Sequence, residues 1–391
     1  MKFSNLRQLF LVSSIGLVAA TLLTACSVTT VNYVFVANSG GAADTSDGQI
    51  ETFAADSESG ALRTQLTAVD SGGVYPVAMV TTSDYANLYV ANKTGGTVTH
   101  FTIGSNGALT VKDSVSVSSP VALAVNTGGT YLYVVSGTTS STLTEYALSS
   151  GTIGAAISQP LTLSSNVMVP AGITVLANTS TVTGNGVYVA TDDQTTSLGY
   201  VFGFTVGTGG ALAATSNSPY QAGVKPSGIA SDPTDSYVYV TDISSNHLIG
   251  YTIMSGSTLQ YMTSGPFATG NQPTALVVDP RGKYIYVANS LDSTISSYAI
   301  NLATGVPTLA LSSSSSGDVT DADPVAIVID PALGRFIYTA NYLGDSVSGF
   351  VLNPSSGGVT QTQATPYPAG LHPTALVAVP HGNHAVDVVT Q

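Results

Sequence analysis

The sequence predicts an all-β fold, a seven-bladed β-propeller built from four-stranded antiparallel blades. Three observations predict it. A short strand rich in tyrosine and valine returns about every fifty residues along the chain. Helical periodicity is absent, and β-branched residues dominate the repeated segments. Both faces of the repeated strand are apolar, as in residues 284–288, which indicates a sheet covered on both sides. The blades of a propeller cover one another in this way.

The repeated strand reads hydrophobic, Tyr, Val, small, then Asn or Asp, and successive copies lie 44 to 55 residues apart. A solenoid coil is shorter than this period and a tandem sandwich domain is longer, so both alternatives fit less well. The copies occupy residues 34–38, 88–92, 132–136, 187–191, 238–242, 285–289 and 337–341, with a degraded eighth copy at 385–390.

Each period also contains a strand opened by proline, which we expect to be the innermost strand of a blade. A turn such as 279–282 connects it to the Tyr-Val strand, and a third and a weaker fourth strand follow. Only seven proline-led strands accompany the eight Tyr-Val copies, so the first and last Tyr-Val copies are alternatives for the same position in one blade. We expect residues 374–379 to pair with the N-terminal strands, which closes the ring and removes an exposed edge. The prolines are Pro76, Pro120, Pro170, Pro226, Pro273, Pro324 and Pro373.

Composition and charge narrow the classes of partner. Of 391 residues 43% are hydrophobic and 8% are charged, and the formal net charge is -13. Without Lys2 and Arg7 the chain keeps 7 of its 9 bases against 22 acids, a net charge of -15. A negative field of this size opposes nucleic acid and anionic lipid. Cys26 is the single cysteine, which excludes disulfides and cysteine-ligated metal clusters within the chain. We expect a monomer without a cofactor.

The N-terminus is typical of an export signal. Lys2 and Arg7 precede a mostly apolar run at 9–23, which is short for a membrane-spanning helix. The run ends in Leu-Thr-Ala-Cys at 23–26, which resembles the bacterial lipobox. The resemblance implies a signal peptide at 1–25, acylation of Cys26, a tether at 26–30 and one propeller domain at 31–391. It also implies a lipid anchor as the only membrane contact, in the outer membrane of a Gram-negative bacterium. The alternative is a chance cysteine after an ordinary signal peptide.

The repeat itself resembles a known family. Tyr-Val-Ala-Asn at 286–289, the following Asp-Ser-Thr-Ile-Ser-Ser-Tyr and the preceding Asp-Pro-Arg-Gly-Lys-Tyr are similar to the YVTN-type repeats of the seven-bladed lactonase superfamily. That superfamily contains 6-phosphogluconolactonases and exported proteins of other roles. The resemblance covers residues 31–391, and it implies the propeller fold more specifically than it implies hydrolysis of a lactone.

A phosphorylated sugar lactone requires cations for the phosphate, donors for the oxyanion and a base for water. The resemblance implies Arg and His on or just before the inner strands. The second residue after each proline is small instead, which we attribute to crowding where the inner strands converge. Arg281, Lys283 and Arg335 fall in turns expected on the opposite face, so a phosphate clamp is poorly supported. The small residues are Ala78, Ala122, Gly172, Gly228, Ala275, Ala326 and Ala375.

The residues immediately before the prolines form the best candidate binding site, since they should surround the mouth of the central channel. The site mixes a cation, an acid, an imidazole and hydrogen-bonding groups, which suits a small polar ligand. His372 and Asp323 form a base and its orienting carboxylate if adjacent blades bring them together. Ordinary solvated loop residues are the alternative. The ring comprises Tyr75, Ser119, Val169, Lys225, Gln272, Asp323 and His372.

Other candidate sites are weaker. Two acidic loops, one with Asp318, Asp321 and Asp323 and the other with Asp44 and Asp47, offer oxygen ligands for calcium, but neither has the spacing of an EF-hand. The histidines at positions 100, 247, 381 and 384 lack partners at a zinc-site spacing, so we expect packed or solvated side chains. Glu145 lies centrally on a third strand, where its neighbours suggest a position at the rim.

Two function classes follow from these observations. The first is an exported lipoprotein that acts as a binding or scaffold module for a small polar ligand or an envelope protein, and the sparse catalytic groups favour it. The alternative is a sugar lactonase acting at the channel mouth, which the family resemblance favours. Whether the protein is an enzyme stays open at this stage.

Overall fold

The computed structural model describes residues 29–40, 47–177, 185–310 and 318–382. These residues form seven antiparallel sheets and two single 3₁₀ turns, Thr208–Gly210 and Ser255–Ser257. No helix in the described ranges is long and apolar enough to cross a membrane. The expected signal peptide, Cys26 and the degraded repeat at 385–390 lie outside these ranges.

Blades 1 to 3 each have four strands, with the proline-led strand innermost. Blade 1 takes its innermost strand, β32, from the C-terminal end of the chain, and the orders from outside to inside are β3-β2-β1-β32, β7-β6-β5-β4 and β11-β10-β9-β8. The strands are β1 (Thr30–Asn38), β2 (Asp47–Asp56), β3 (Leu62–Val74), β4 (Pro76–Thr81), β5 (Asn87–Asn92), β6 (Thr97–Ile103), β7 (Leu109–Ser116), β8 (Pro120–Val125), β9 (Tyr131–Ser136), β10 (Ser141–Ser149), β11 (Thr152–Leu161) and β32 (Pro373–Pro380).

Blades 4 to 7 have the same order, but two short strands share the outermost position in each. They are β12 (Met168–Val175), β13 (Gly186–Asp193), β14 (Leu198–Val206), β15 (Leu212–Ala214) and β16 (Tyr220–Gln221) in blade 4, and β17 (Pro226–Ser231), β18 (Tyr237–Asp242), β19 (His247–Met254), β20 (Thr258–Tyr261) and β21 (Phe267–Ala268) in blade 5. Blade 6 contains β22 (Pro273–Val278), β23 (Tyr284–Asn289), β24 (Thr294–Ile300), β25 (Pro307–Leu309) and β26 (Asp318–Val319), and blade 7 contains β27 (Pro324–Ile329), β28 (Phe336–Asn341), β29 (Ser346–Leu352), β30 (Val359–Gln361) and β31 (Tyr367–Pro368).

The hydrophobic core lies between blades, as the two apolar faces of the Tyr-Val strand predict. Every residue of β5, β18, β23 and β28 is buried. Each of the seven core clusters draws its side chains from two adjacent blades, and blades 7 and 1 share one such cluster. Each innermost strand contacts the next one around the ring. The seven-bladed propeller is therefore confirmed.

The ring closes through the two ends of the described chain, as predicted. In blade 1, β32 pairs antiparallel with β1, so that Asn38 lies opposite Pro373 and Asn32 lies opposite Pro380. Asn38 and Pro373 lie on the face of the ring where all the proline-led strands begin. Thr30 and His381 lie at the other face, where the His381 amide donates to the Val31 carbonyl.

The small residues near the axis are explained by contact between innermost strands. In all seven blades the ladder between the innermost and second strands is shifted directly after the proline, as between Pro226 and Gly228. A Cβ on Gly228 would lie 3.0 Å from Leu276 Cδ2 in the next blade, and one on Gly172 would lie 3.2 Å from Ile229 Cγ2. The predicted crowding at these two positions is therefore present.

The tyrosines of the second strands tie adjacent blades together. Five buried hydroxyls each donate to a backbone carbonyl in the turn after the third strand of the next blade, over 2.5 to 3.0 Å. A buried carbonyl with a tyrosine donor satisfies both polar groups where no water reaches. The pairs are Tyr89 with Gly151, Tyr188 with Ser257, Tyr239 with Gly305, Tyr286 with Gly357 and Tyr338 with Gly60.

Replacing Tyr286 by phenylalanine should lower the free energy of unfolding by about 1 to 2 kcal/mol, because the buried Gly357 carbonyl loses its donor. Phe35 occupies the equivalent position in blade 1, so the ring itself fits. Chemical denaturation measures the change. Tyr261→Phe is the matched control, since Tyr261 is exposed and should tolerate loss of its hydroxyl. Equal stability of the two variants would contradict a role for the inter-blade bond.

Blade 3 departs from this pattern because of Glu145. The residue lies directly opposite Tyr133 in the β9–β10 ladder, where blades 4, 5 and 7 have Gly203, Gly250 and Gly349. It is 2% exposed, so the predicted rim position is wrong. Burial raises the pKa of Glu145 to about 7, although its interaction with the Tyr133 hydroxyl acts in the opposite direction. The carboxyl lies next to Gly210, in the turn after the third strand of blade 4. In the five pairs above, a tyrosine hydroxyl contacts the equivalent turn of the next blade.

Candidate functional site

The channel opens on the face where the innermost strands begin, and the predicted ring of residues lies there. Five of its members adopt a left-handed backbone with φ between 49° and 60°. This conformation costs a non-glycine residue about 1 to 2 kcal/mol, so the surrounding structure must hold it in place. The five are Tyr75, Ser119, Gln272, Asp323 and His372.

A second ring of residues accompanies the first, because each turn is fastened to the residue that follows the second strand. In six blades this residue donates its amide to the carbonyl of the residue before the proline, over 2.8 to 3.1 Å. Five of these blades therefore present two side chains at the mouth, and the blade with Gly137 presents one. The donor and acceptor pairs are Ser39 with His372, Lys93 with Tyr75, Gly137 with Ser119, Ile243 with Lys225, Ser290 with Gln272 and Tyr342 with Asp323.

Blade 4 is built differently at the mouth. Its innermost strand begins two residues before the proline, and Val169 pairs with Asp192 inside the β12–β13 ladder. Val169 is therefore a strand residue and does not belong to the ring of turns, contrary to the prediction. Asp192 takes its place as the polar residue that blade 4 contributes. The sequence reasoning missed Asp192 because it considered only the residues that precede the prolines.

Asp192 and Lys225 interact electrostatically at the boundary of blades 4 and 5. Burial raises the pKa of the Asp192 carboxyl, the Lys225 ammonium counteracts this, and Asp193 and Asp242 raise it further. Lys225 is exposed and forms no ion pair with the described residues. The ammonium is therefore available to a ligand while it remains in electrostatic contact with a partly desolvated carboxylate.

Lys225 and Gln272 line one depression of about 430 Å³ between blades 5 and 6, together with Asn246, Asn271 and Leu291. Hydrogen bonds fix its floor. The backbone amide of Gln272 donates to Asn246 Oδ1 over 2.9 Å, and Asn246 Nδ2 donates to Asn271 Oδ1 over 3.0 Å. Such a preorganised set of amides suits a ligand with several hydroxyl groups.

Asp323 lies at the boundary of blades 6 and 7. Burial raises the pKa of its carboxyl, and a hydrogen bond from the Ser290 hydroxyl of blade 6 lowers it. The backbone carbonyl of the same residue accepts a hydrogen bond from Tyr342. The carboxyl is thus held toward blade 6 by one partner while its backbone is fixed by its own blade.

His372 comes from blade 1 and stacks on Tyr342 of blade 7, with ring centroids 4.6 Å apart and planes 20° apart. Its backbone amide donates to Asp345 Oδ1 over 2.7 Å. Its Nδ1 is buried and has no hydrogen-bond partner in the described structure. No hydrogen bond or ion pair joins His372 to Asp323, although both are described, so the hypothesis of a bonded base and orienting carboxylate is wrong.

Together these groups form a polar arc, which we define as Asp192, Lys225, Gln272, Asp323 and His372. They come from blades 4, 5, 6, 7 and 1, which are consecutive around the mouth. The arc contains four of the five predicted ligand candidates, and Tyr75 lies beyond it in blade 2. Its chemistry comprises one cation, two carboxyls, an amide and an imidazole.

Three of the other candidates from the sequence, Arg281, His100 and Asp321, have structural partners. Arg281 Nε donates to Asp279 and its Nη2 donates to the Gly334 carbonyl, on the face opposite the mouth. His100 is bound by Asn87 and Asp113. Asp321 accepts hydrogen bonds from the Ala322 amide and the Ser346 hydroxyl. Within the described ranges no group of three or more His, Cys, Asp or Glu side chains is arranged to hold a metal. Asp44 and His384 lie outside those ranges.

The comparisons with known proteins agree on the fold. The family model described as lactonase, 7-bladed beta-propeller, matches residues 21–125 and 104–386. A search of the curated proteins gave no match. The periplasmic gluconolactonase PpgL of Pseudomonas aeruginosa superposes with a TM-score of 0.74 at 17% identity, covering 90% of this chain and 100% of that one. A putative 6-phosphogluconolactonase of Bacteroides fragilis gives 0.71 at 15% identity, covering 90% and 99%. At these identities the structural similarity shows the fold alone.

Proposed function

Because the chain belongs to the lactonase family of seven-bladed β-propellers, we propose that it hydrolyses a lactone at the channel mouth. The observation that carries the proposal is the combination of Lys225 and Asp192 in the polar arc. An unpaired ammonium lies there in electrostatic contact with a carboxyl whose pKa is raised by burial. A cation and a strengthened base are the two groups that addition of water to an ester carbonyl requires.

In the proposed reaction Asp192 accepts a proton from a water molecule as its oxygen bonds to the lactone carbonyl carbon. The Lys225 ammonium stabilises the negative charge that develops on the carbonyl oxygen. Collapse of the tetrahedral intermediate breaks the ring C–O bond, and the proton on Asp192 passes to the departing alkoxide. One lactone and one water give one hydroxy acid, and the carboxylate of Asp192 is regenerated.

The proposed substrate is an unphosphorylated sugar lactone. A phosphate group carries close to two negative charges and requires clustered cations. The described mouth offers Lys225 and Lys93, but Asp192 and Asp323 oppose them, and Arg281 is engaged on the opposite face. The amides around Gln272 suit neutral hydroxyl groups. The Pseudomonas aeruginosa protein that shares the fold is described as a gluconolactonase, which is consistent with this substrate class.

The test is hydrolysis of glucono-1,5-lactone by the purified protein, followed as acid release above the spontaneous rate. We expect gluconate as the product. We also expect 6-phosphogluconolactone to be hydrolysed less efficiently, measured as kcat/KM. The proposal fails if the protein accelerates hydrolysis of neither lactone.

A second candidate function, a binding module at the cell envelope, is supported by the loops around the mouth. Leu291 and Leu343 are each 66% exposed and Leu371 is 53% exposed, and all three lie on loops of the mouth face. Exposed apolar residues gathered on one face are typical of a surface that contacts another protein. The test replaces these three leucines by serine. This function is favoured if the wild-type protein hydrolyses no lactone and binds an envelope protein that the variant no longer binds.

We also propose that the protein is exported and anchored through lipid on Cys26. The apolar run and the lipobox-like Leu-Thr-Ala-Cys support the proposal. Cells fed radiolabelled palmitate should label the wild-type protein, and Cys26→Ser should abolish the label and release the protein from the membrane fraction, because two or more acyl chains are needed for a stable anchor. A Ser27→Ala control should keep the label. Labelling of Cys26→Ser would contradict the proposal.

A further inference from the structure

A second cavity, distinct from the depression beside Lys225, extends along β19 between blades 4 and 5, and one of its ends lies near the mouth. It measures about 620 Å³, and we name it the blade 4–5 groove. Pro219 and Tyr220 of blade 4 line one side. His247, Ile249 and Tyr251, which alternate along β19 and so share one face, line the other. The groove belongs to neither the polar arc nor the depression beside Lys225.

Two tyrosines give the groove an aromatic wall. Tyr251 is 1% exposed, and its hydroxyl donates to the Gln221 carbonyl, which fixes the ring. Tyr261 lies opposite it in the β19–β20 ladder and meets it edge to face, with centroids 5.9 Å apart and planes at 78°. Tyr261 is 41% exposed. An anchored ring therefore supports a second ring whose surface remains open to a ligand.

Blade 5 differs from its neighbours at the residues that line the groove. In blades 2, 6 and 7 the second strand ends in an asparagine, and the two positions equivalent to His247 and Ile249 carry hydroxyl groups. The side-chain amide of that asparagine donates a hydrogen bond to each of the two hydroxyls. These bonds run from Asn92 to Thr97 and Thr99, from Asn289 to Thr294 and Ser296, and from Asn341 to Ser346 and Ser348.

In blade 5 this hydroxyl network is absent, because Asp242 replaces the asparagine and an imidazole and an isoleucine replace the hydroxyls. The Asp242 carboxylate accepts hydrogen bonds from the amides of Val224 and Lys225 and from the Ser245 hydroxyl. The His247 ring makes no hydrogen bond with the described residues. The blade has thus exchanged internal polar contacts for an aromatic and apolar surface with a free imidazole.

The charge of the groove indicates a neutral ligand. Its one carboxylate, Asp242, is satisfied by its own loop, and no Lys or Arg lines the cavity. Apolar ring faces are combined with polar groups at the edge, where Asn217 and Gln221 are exposed. A sugar ring matches this combination, since its C–H face packs on an aromatic ring and its hydroxyls bond amides and imidazole.

We propose that the blade 4–5 groove binds an uncharged saccharide, with a sugar ring stacked on Tyr261 and its hydroxyls bonded by His247 and the amides of Asn217 and Gln221. The face from His247 to Tyr251 extends about 14 Å at 3.4 Å per residue, which accommodates more than one sugar ring. This site does not depend on hydrolysis at the mouth. It lies beside it, because Asp242 lines the groove and holds the backbone of Lys225.

The test uses maltotriose and cellotriose as probes and the purified full chain, with saturation-transfer NMR as the measurement. We expect saturation transfer to at least one of the two sugars. Tyr261→Ala should weaken that affinity about tenfold, the effect of losing one stacked ring, and His247→Ala should weaken it less. Leu309→Ala is the matched control. Leu309 is exposed opposite Tyr298 in blade 6, as Tyr261 is opposite Tyr251, and its replacement should leave affinity unchanged.

Three results would overturn the proposal. The first is that neither trisaccharide receives saturation from the protein at millimolar concentration. The second is equal affinity of wild type and Tyr261→Ala, with an unchanged circular dichroism spectrum showing that the variant is folded. The third is displacement of the sugar by a proline-rich peptide that binds more tightly than either sugar, which would assign the groove to a polypeptide. Lys225→Met should lower kcat/KM for lactone hydrolysis by about a hundredfold or more and leave saccharide binding intact, so the two sites can fail separately.

Discussion

Lys225→Met should lower kcat/KM for glucono-1,5-lactone by about a hundredfold to a thousandfold, the effect of removing one oxyanion-stabilising group. The methionine keeps most of the length of the side chain and removes its charge. Because Lys225 is exposed, the substitution should leave the fold and its thermal stability unchanged. Initial rates of acid release over a range of lactone concentrations measure the effect, and most of the loss should appear in kcat.

Lys283→Met is the control, since Lys283 is a half-buried lysine in the turn between β22 and β23, on the face opposite the mouth. It should retain wild-type kinetics. Asp192→Asn should reproduce the loss and also remove the acidic limb of the pH–rate profile, because the base is then absent. An equal effect of the two lysine substitutions would show that the polar arc is not the reactive site.

Glu145 should make the protein less stable as pH rises through the weakly acidic range. Its pKa is about 7 in the folded state and 4.5 ordinarily, so the folded protein binds more protons between these values. Stability is therefore greatest below pH 4.5, falls between 4.5 and 7 and is constant above that, as far as this group is concerned. One pKa unit corresponds to about 1.4 kcal/mol, which sets an upper limit of about 3 kcal/mol. Solvent screening reduces the expected change to about 2 kcal/mol.

Glu145→Gln isolates this contribution, because glutamine has a similar shape and does not titrate. The difference in unfolding free energy between variant and wild type should be near zero at pH 4 and should favour the variant by about 2 kcal/mol at pH 8. Urea denaturation at a series of pH values measures it. Glu58→Gln, at an exposed acid, should follow the wild-type profile. A difference that does not vary with pH would show that the buried carboxyl does not titrate between folded and unfolded states.

The fold was predictable because its determinants are local and repeated. Every blade must cover its neighbours, so the Tyr-Val strand has two apolar faces seven times over, and the unequal numbers of Pro-led and Tyr-Val strands indicate how β1 and β32 close the ring. The location of the mouth residues followed from the same repeat. The repeat cannot predict a structural feature that occurs in one blade alone.

Blade-specific departures account for the predictions that were wrong or missing. Val169 was placed in the ring because a proline follows it, but β12 begins at Met168, so Val169 lies inside the ladder opposite Asp192. Glu145 was placed at the rim because its neighbours resembled those of an edge, whereas its environment is set by Tyr133 and a turn of the next blade. Contacts between blades join residues far apart in sequence, and neither spacing nor composition reports them. His372 and Asp323 likewise form no hydrogen bond in the described structure, because each takes its contacts from a different neighbour: His372 stacks on Tyr342, and the Asp323 carboxyl bonds Ser290.

The pairing of β1 with β32 also determines how the molecule is oriented when it is tethered. Asn38 and Pro373 belong to the mouth face, so the chain enters blade 1 at Thr30 and leaves it after Pro380 on the far side of the ring. A lipid on Cys26 would hold that far side against the bilayer, within about 14 Å for the four residue steps from Cys26 to Thr30. The mouth and its polar arc would then point into the aqueous compartment, and substrate would arrive from solution without crossing the anchor.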